Sequence, residues 1–141
     1  MPNVVLFAVT LTCVTALDNG VGLTPAMGLS TWNRFGPAIN DTLIREIAVA
    51  MVSSGLAAAG YEYLNIDDGW AQGRYPNGTI YPDPALFPNG MKSVADYVHA
   101  QGLKFGLYTS FTAQTCQGRP GSLNYEALDA ATYAEWGVDY L

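Results

Sequence analysis

Asp67 and Asp68 stand side by side, followed by Gly69 and Trp70, and this run concentrates more potential chemistry than any other in the 141 residues. Adjacent carboxylates at a strand end can each accept a hydrogen bond from a sugar hydroxyl, and an indole beside them can cover an apolar sugar face. The same pair can also act as general acid and base, or as hard oxygen ligands for a cation. Strand geometry argues against both carboxylates working on one bond, because neighbouring side chains point to opposite faces. The plain alternative is a loop or helix-capping pair on the surface. Trp32 and Tyr108 pose a related choice, since each is an aromatic side chain at a strand exit that can be core or a platform for a sugar ring. His99 lies near the end of a helical pattern with no Cys or His at ligand spacing. It reads as a surface imidazole favoured by the helix dipole. The sequence contains no serine nucleophile elbow, no zinc-protease helix motif and no phosphate-binding P-loop.

The elements that must position these residues alternate between strand and helix. Pro25 to Trp32 reads as a first strand and its exit. Asn40 is a candidate N-cap for a helix from Asp41, whose Leu43, Ile44, Ile47, Ala48 and Met51 share one face and which closes near Gly55. Tyr61 to Ile66 is rich in aromatic and branched residues and reads as a second strand ending on Asp67. A loop full of Gly, Pro and Asn is expected from Gly69 to about Asn89. Met91, Val94, Ala95 and Val98 mark a second amphipathic helix, stopped by Gly102, and Leu103 to Tyr108 a third strand. A loop with Cys116 and Pro120-Gly121 leads to a third helix, with Tyr125, Leu128 and Thr132 on its inner face and its end at Trp136-Gly137. Val138 to Leu141 opens a fourth strand. Helix-to-strand links are tight and strand-to-helix loops long, as in a (β/α)8 TIM barrel whose site lies at the C-terminal ends of its strands. No Gly-rich dinucleotide turn follows a strand, which disfavours the doubly wound alternative. About four β/α units, roughly the first half of such a barrel, are accounted for.

The chain has 12 acidic against 6 basic residues and a net charge of −6. It holds no basic cluster, which argues against nucleic acid or an anionic membrane as partner and suits a neutral polyol. Val4 to Ala16 is apolar, uncharged and ends in Val14-Thr15-Ala16, so residues 1–16 read as a signal peptide, too short for a membrane span. The mature chain then starts at Leu17 and is secreted or lumenal. Cleavage removes Cys13 and leaves Cys116 alone, as a free thiol or paired with a cysteine outside this sequence. Sequons at Asn40-Asp41-Thr42 and Asn77-Gly78-Thr79 make Asn40 and Asn77 glycosylation candidates.

Several motifs in order carry a family resemblance: Leu17-Asp18-Asn19-Gly20, Pro25-Ala26-Met27-Gly28 and Trp32-Asn33-Arg34-Phe35-Gly36 near the start. Tyr63-Leu64-Asn65-Ile66-Asp67-Asp68, then Phe87-Pro88-Asn89-Gly90-Met91-Lys92, Gly102 to Tyr108 and Trp136 to Leu141 follow. Together they resemble the α-galactosidases of the melibiase type, glycoside hydrolase family 27, over essentially all of residues 17–141. The resemblance implies a retaining exo-glycosidase that hydrolyses terminal α-linked galactose on a (β/α)8 barrel, with no metal and no organic cofactor. It implies sugar-binding roles for Asp67 and Asp68, and a pocket lined also by Trp32, Tyr108 and Cys116. The family's nucleophile, an aspartate in a Lys-x-Asp segment, is then expected directly after Leu141, and its acid/base aspartate beyond a later strand. On that expectation the 141 residues are an N-terminal piece without activity of its own. The resemblance also pairs the cysteine at Cys116 with one just after the nucleophile.

Departures from the family pattern cluster at the expected rim. Leu29 stands where the family usually has Trp, and Ser110-Phe111-Thr112 replaces an Asp-small-Gly segment. Pro37 and Gly69 occupy the two positions of a family disulfide. These changes leave room for an α-N-acetylgalactosaminidase or β-L-arabinopyranosidase specificity. A non-catalytic sugar-binding pseudoenzyme is the alternative of another class.

Overall fold

The computed structural model describes residues 19–141. The expected signal peptide, with Cys13, Leu17 and Asp18, lies outside the described residues. In chain order the elements are β1 (Gly28–Ser30), a short α1 (Trp32–Phe35), α2 (Asp41–Ser53), β2 (Tyr63–Ile66), β3 (Ala71–Arg74), β4 (Ile80–Pro82), α3 (Gly90–Ala100), β5 (Lys104–Leu107) and α4 (Glu126–Trp136). Strands β1, β2 and β5 form a parallel sheet in that order. Tyr140 adds a single parallel bridge to Gly106, with Leu107 N donating to Tyr140 O at 2.9 Å, which places the expected fourth strand beside β5. Among the described residues no helix is long and apolar enough to cross a membrane.

The crossover helices α2 and α3 form where the sequence sets an apolar stripe. The Asn40 side chain accepts from Leu43 N at 2.8 Å and caps α2, which buries Ile44, Ile47, Ala48 and Met51. Met91, Val94, Ala95 and Val98 do the same on α3. Both stripes pack on alternate strand residues, namely Leu64 and Ile66 of β2 and Phe105 and Leu107 of β5. The intervening residues face the other side of the sheet, where Tyr63 pairs with Lys104 and Asn65 with Gly106. On that open face the Tyr63 ring lies 5.0 Å from Lys104 Nζ and 5.7 Å from the Tyr140 ring.

Three sequence expectations need correcting. The segment 69–89 is not a plain loop, because β3 and β4 form an antiparallel hairpin with an irregular register between Ala71 and Gly73. Its strands are too short and mixed to show an alternating pattern, and the Gly, Pro and Asn residues serve its turn, where Tyr75 N donates to Thr79 O at 2.9 Å. The first strand is only Gly28–Ser30, and Trp32 opens a helical turn instead of ending a strand. On α4 the buried residues are Asp129, Thr132 and Tyr133, while Tyr125 and Leu128 remain exposed. A buried acid defeats a search for apolar periodicity.

Tyr133 packs with Trp70 and Trp136 in an aromatic cluster, with ring centroids 5.8–6.2 Å apart and steep interplanar angles. Its hydroxyl is buried near the Thr109 and Ser122 hydroxyls, which bond to each other at 2.8 Å. Burial pushes its phenol above the usual value. A Cβ built on Gly69, whose φ is +100°, would lie 3.4 Å from Pro37 Cβ. The two positions are therefore neighbours at about disulfide spacing.

Three outcomes follow from this packing. A polypeptide of residues 19–141 made alone leaves a strand edge and the Tyr63 face open, so it should self-associate. Light scattering that finds a monomer with a sharp melt would refute this. In the full-length protein, the unfolded chain releases the Tyr133 proton near pH 10, whereas the folded one holds it to higher pH. That share of stability is complete below about pH 10 and is lost as pH rises through the folded value. Tyr133→Phe should flatten the fall in Tm above about pH 10 and change little at neutral pH. Finally, Pro37→Cys with Gly69→Cys should oxidise to one bridge, seen by thiol titration. The gain in stability should fall below the usual ~2–4 kcal/mol, because Cys at a positive φ is strained.

Candidate active site

The ends of the three parallel strands meet at the carboxylate pair. Thr31, fully buried just after β1, donates its N–H to Asn65 O at 3.1 Å and accepts from Asp67 N at 3.0 Å through its hydroxyl. That double stitch fixes the backbone where β2 ends. Asp67 Oδ1 then accepts from Asp68 N at 2.7 Å, and Ser30 Oγ donates to Asp67 Oδ2 at 3.3 Å. Asp67 is half-buried, so much of its acceptor capacity faces the space above the sheet.

Asp68 is different. Its side chain is buried and takes three donors: Gly69 N at 2.7 Å and Thr115 Oγ1 at 2.8 Å on Oδ1, and Gln117 N at 2.9 Å on Oδ2. An ionised carboxylate offers about four acceptor positions, so about one remains. The pair thus divides its work, with Asp67 presented outward and Asp68 clamping the tip of the loop after β5. Cys116 sits at that tip, exposed, between the two residues that hold Asp68.

Tyr108 follows β5 and is tied to β2 by donation from its N–H to Ile66 O at 2.9 Å. Burial pushes its phenol up, and the neighbouring Cys116 thiol and the charges of Asp68 and Asp67 push the same way. At neutral pH it therefore stays protonated, able to donate. Asp67, Asp68, Tyr108 and Cys116 are brought together. Trp32 stands half-buried at the adjoining exit of β1, one residue beyond the Thr31 stitch.

Trp70 is not a cover for a sugar face: it is 2% exposed and donates Nε1–H to Tyr108 O at 2.8 Å. It underpins Tyr108 from the core. Asn40 and Asn77 are both exposed, and Asn77 Oδ1 accepts from Thr79 N at 3.1 Å in the hairpin turn. His99 is more than a surface imidazole. Its Nε2 lies 2.8 Å from Asp139 Oδ2, which also accepts from Phe105 N at 2.8 Å, at the strand starts.

Sequence reasoning missed Thr115 and Gln117, whose only local signal is their place on either side of Cys116. Among the described residues no group of three or more His, Cys, Asp or Glu side chains is placed to hold a metal ion. A cleft of about 680 Å³ lies beside Glu62, Lys104 and Tyr140 at the strand starts, away from the carboxylates.

Known proteins resemble this chain in sequence and in fold. Residues 24–141 match the family model described as alpha galactosidase A. A protein of Dictyostelium discoideum named "Probable alpha-galactosidase" is 60% identical over 136 residues, covering 96% of this chain and 35% of its own length. The alpha-galactosidase of Cyamopsis tetragonoloba is 55% identical over 126 residues, 88% of this chain and 31% of its own. The crystal structure of alpha-galactosidase I from Mortierella vinacea superposes with a TM-score of 0.86 at 45% identity, covering 89% of this chain and 32% of that one. The chain spans about a third of the length of the curated relatives it matches. Its parallel β/α order is that of part of a (β/α)8 barrel, and by sequence and fold the chain belongs to the α-galactosidase A family.

Proposed function

We propose that the protein carrying this chain is a retaining exo-glycosidase that removes terminal α-linked galactose from oligosaccharides or glycoconjugates. One observation carries the reading: in a chain of this family, Asp67, Asp68, Tyr108 and Cys116 converge at the C-terminal ends of adjacent parallel strands. Asp67 accepts from galactose hydroxyls, and Asp68 offers its one remaining acceptor position while holding the loop. Tyr108 donates through its phenol, Trp32 supplies an aromatic wall, and Cys116 closes the side of the pocket.

These groups bind and orient, and none of them cleaves. Retention needs two carboxyl groups about 5–5.5 Å apart, one forming a glycosyl ester and the other moving the proton. Asp68 has three of its roughly four acceptor positions taken by protein donors, which suits it to holding and binding instead. Both carboxylates belong to sequence after Leu141, the nucleophile in a Lys-x-Asp segment. A cysteine just after that nucleophile would pair with Cys116 and tie the loop tip to the next strand. We read residues 1–16 as the leader that takes the protein into the secretory route, where Asn40 and Asn77 can be glycosylated. The altered rim at Ser110-Phe111-Thr112 does not move the reading to another sugar, because the relatives at 55–60% identity are named for α-galactosidase.

The full-length protein should hydrolyse 4-nitrophenyl α-galactoside in preference to the N-acetylgalactosaminide and the β-L-arabinopyranoside. Asp67→Asn should lower kcat/KM roughly 10- to 100-fold, the worth of a charged hydrogen bond of about 1.5–3 kcal/mol. Inertness towards all three glycosides, or a coding sequence with no Asp in the strand that continues past Leu141, would sink the proposal.

A further inference from the structure

The buried ion pair of Arg74 and Asp129 lies outside the carboxylate cluster yet reaches the loop that Asp68 holds. Nη1 and Nη2 of Arg74 meet the two Asp129 oxygens at 2.6 Å each, with side-chain exposures of 12% and 2%. The same guanidinium donates to Gly78 O in the hairpin turn and to Gly121 O at the base of the loop, both at 2.8 Å. The Tyr125 ring covers it, 4.0 Å from Cζ. One cation therefore ties together the hairpin, α4 and the loop.

That loop, residues 109–122, is stiff between its two anchorages. Ser122 N donates to Ser110 O at 2.7 Å, Gly121 N to Ala113 O at 3.0 Å and Thr115 N to Arg119 O at 2.9 Å. Its legs meet so closely that a Cβ on Gly121 would lie 2.0 Å from Thr112 O. Its tip is bonded to Asp68 through Thr115 and Gln117. A rigid segment held at base and tip transmits a displacement of one end to the other.

We propose that Arg74, fixed by Asp129, is a positioning residue for the sugar pocket: by gripping Gly121 O it sets where loop 109–122 carries Cys116 beside Tyr108. This rests on the galactosidase reading for its functional consequence. The fork is essential to the arrangement, since a lysine ammonium can keep the charge pair but cannot span Asp129 and two separate carbonyls in fixed directions. The device is one of geometry more than of charge.

The test compares Arg74→Lys with Arg45→Lys in the full-length protein. Arg45 makes an ion pair with Asp41 and hydrogen bonds to Ser93 between α2 and α3, away from the loop. In Arg74→Lys the KM for 4-nitrophenyl α-galactoside should rise about tenfold with kcat changed less than about threefold, as expected when ground-state binding geometry is lost. Amide exchange at Thr115 and Gln117 should quicken about tenfold. Arg45→Lys should lower Tm without moving KM or those amides. The inference is overturned if KM and loop exchange in Arg74→Lys match wild type, if both variants change KM alike, or if Arg74→Lys fails to fold while Arg45→Lys folds. Wild-type protein inactive in the same assay would instead overturn the galactosidase reading, with loop exchange still reporting on Arg74.

Discussion

A carboxylate buried to 3% exposure must have its charge answered inside the protein, and at Asp68 the answer comes from two amides and a hydroxyl. One amide is local, at Gly69. The other two donors come from the tip of a loop 47 and 49 residues further along the chain. Charged hydrogen bonds of this type each contribute about 1.5–3 kcal/mol net, and an unanswered buried charge costs more than that. The loop after β5 is thus held down on the end of β2 by electrostatic necessity, and everything carried on it inherits that position. Cys116 is placed this way, beside Tyr108.

The same constraint explains how two consecutive aspartates come to differ. Alternation along an extended backbone sends neighbouring side chains to opposite sides. Asp67 continues the row of Tyr63 and Asn65 on the open face of the sheet, where Ser30 is its weak partner at 3.3 Å. Asp68 continues the row of Leu64 and Ile66 towards the buried side, and there it finds the loop instead of a helix. Trp70 completes the arrangement from below, since its indole N–H takes the Tyr108 carbonyl and its ring joins the Tyr133 and Trp136 cluster. A run whose two carboxylates and indole read as candidate contacts for one sugar therefore contains one outward acceptor, one clamp, one tight turn and one core anchor.

Much of the scaffold was legible in the sequence because it is encoded locally. The stripes of α2 and α3, the Asn40 cap and the polar residues at strand ends all repeat at spacings that a linear reading detects. What stayed hidden is encoded across distance. Asp129 is buried with Arg74, 55 positions earlier, folded against it, and a face read from Tyr125, Leu128 and Thr132 is right only at Thr132. The hairpin escaped because its strands are three and four residues long and its turn residues also suit a loop. Thr115 and Gln117 carry no chemical signature until Asp68 is beside them. The family resemblance recovered the order of the motifs, but it could not separate the duties of Asp67 and Asp68.

Short links and long loops are kept at opposite ends of the strands. At the strand starts the links are short, and Asp139 bonds both His99 Nε2 and Phe105 N at 2.8 Å, joining the end of α3 to β5 and to the segment leading into Tyr140. Little length is available there to change. At the strand ends the hairpin and loop 109–122 add long excursions, and the loop is held by buried polar contacts to distant elements: Asp68 at its tip, Arg74 of the hairpin at its base. Contacts of this kind fix direction as well as distance, whereas an apolar contact tolerates sliding. The stretch Ser110-Phe111-Thr112 can then vary while the clamp and the pin keep Asp67, Tyr108 and Cys116 in place. Pro37 packs against Gly69 without a cross-link, and the neighbouring backbone is stitched instead by Thr31 to Asp67 and Asn65.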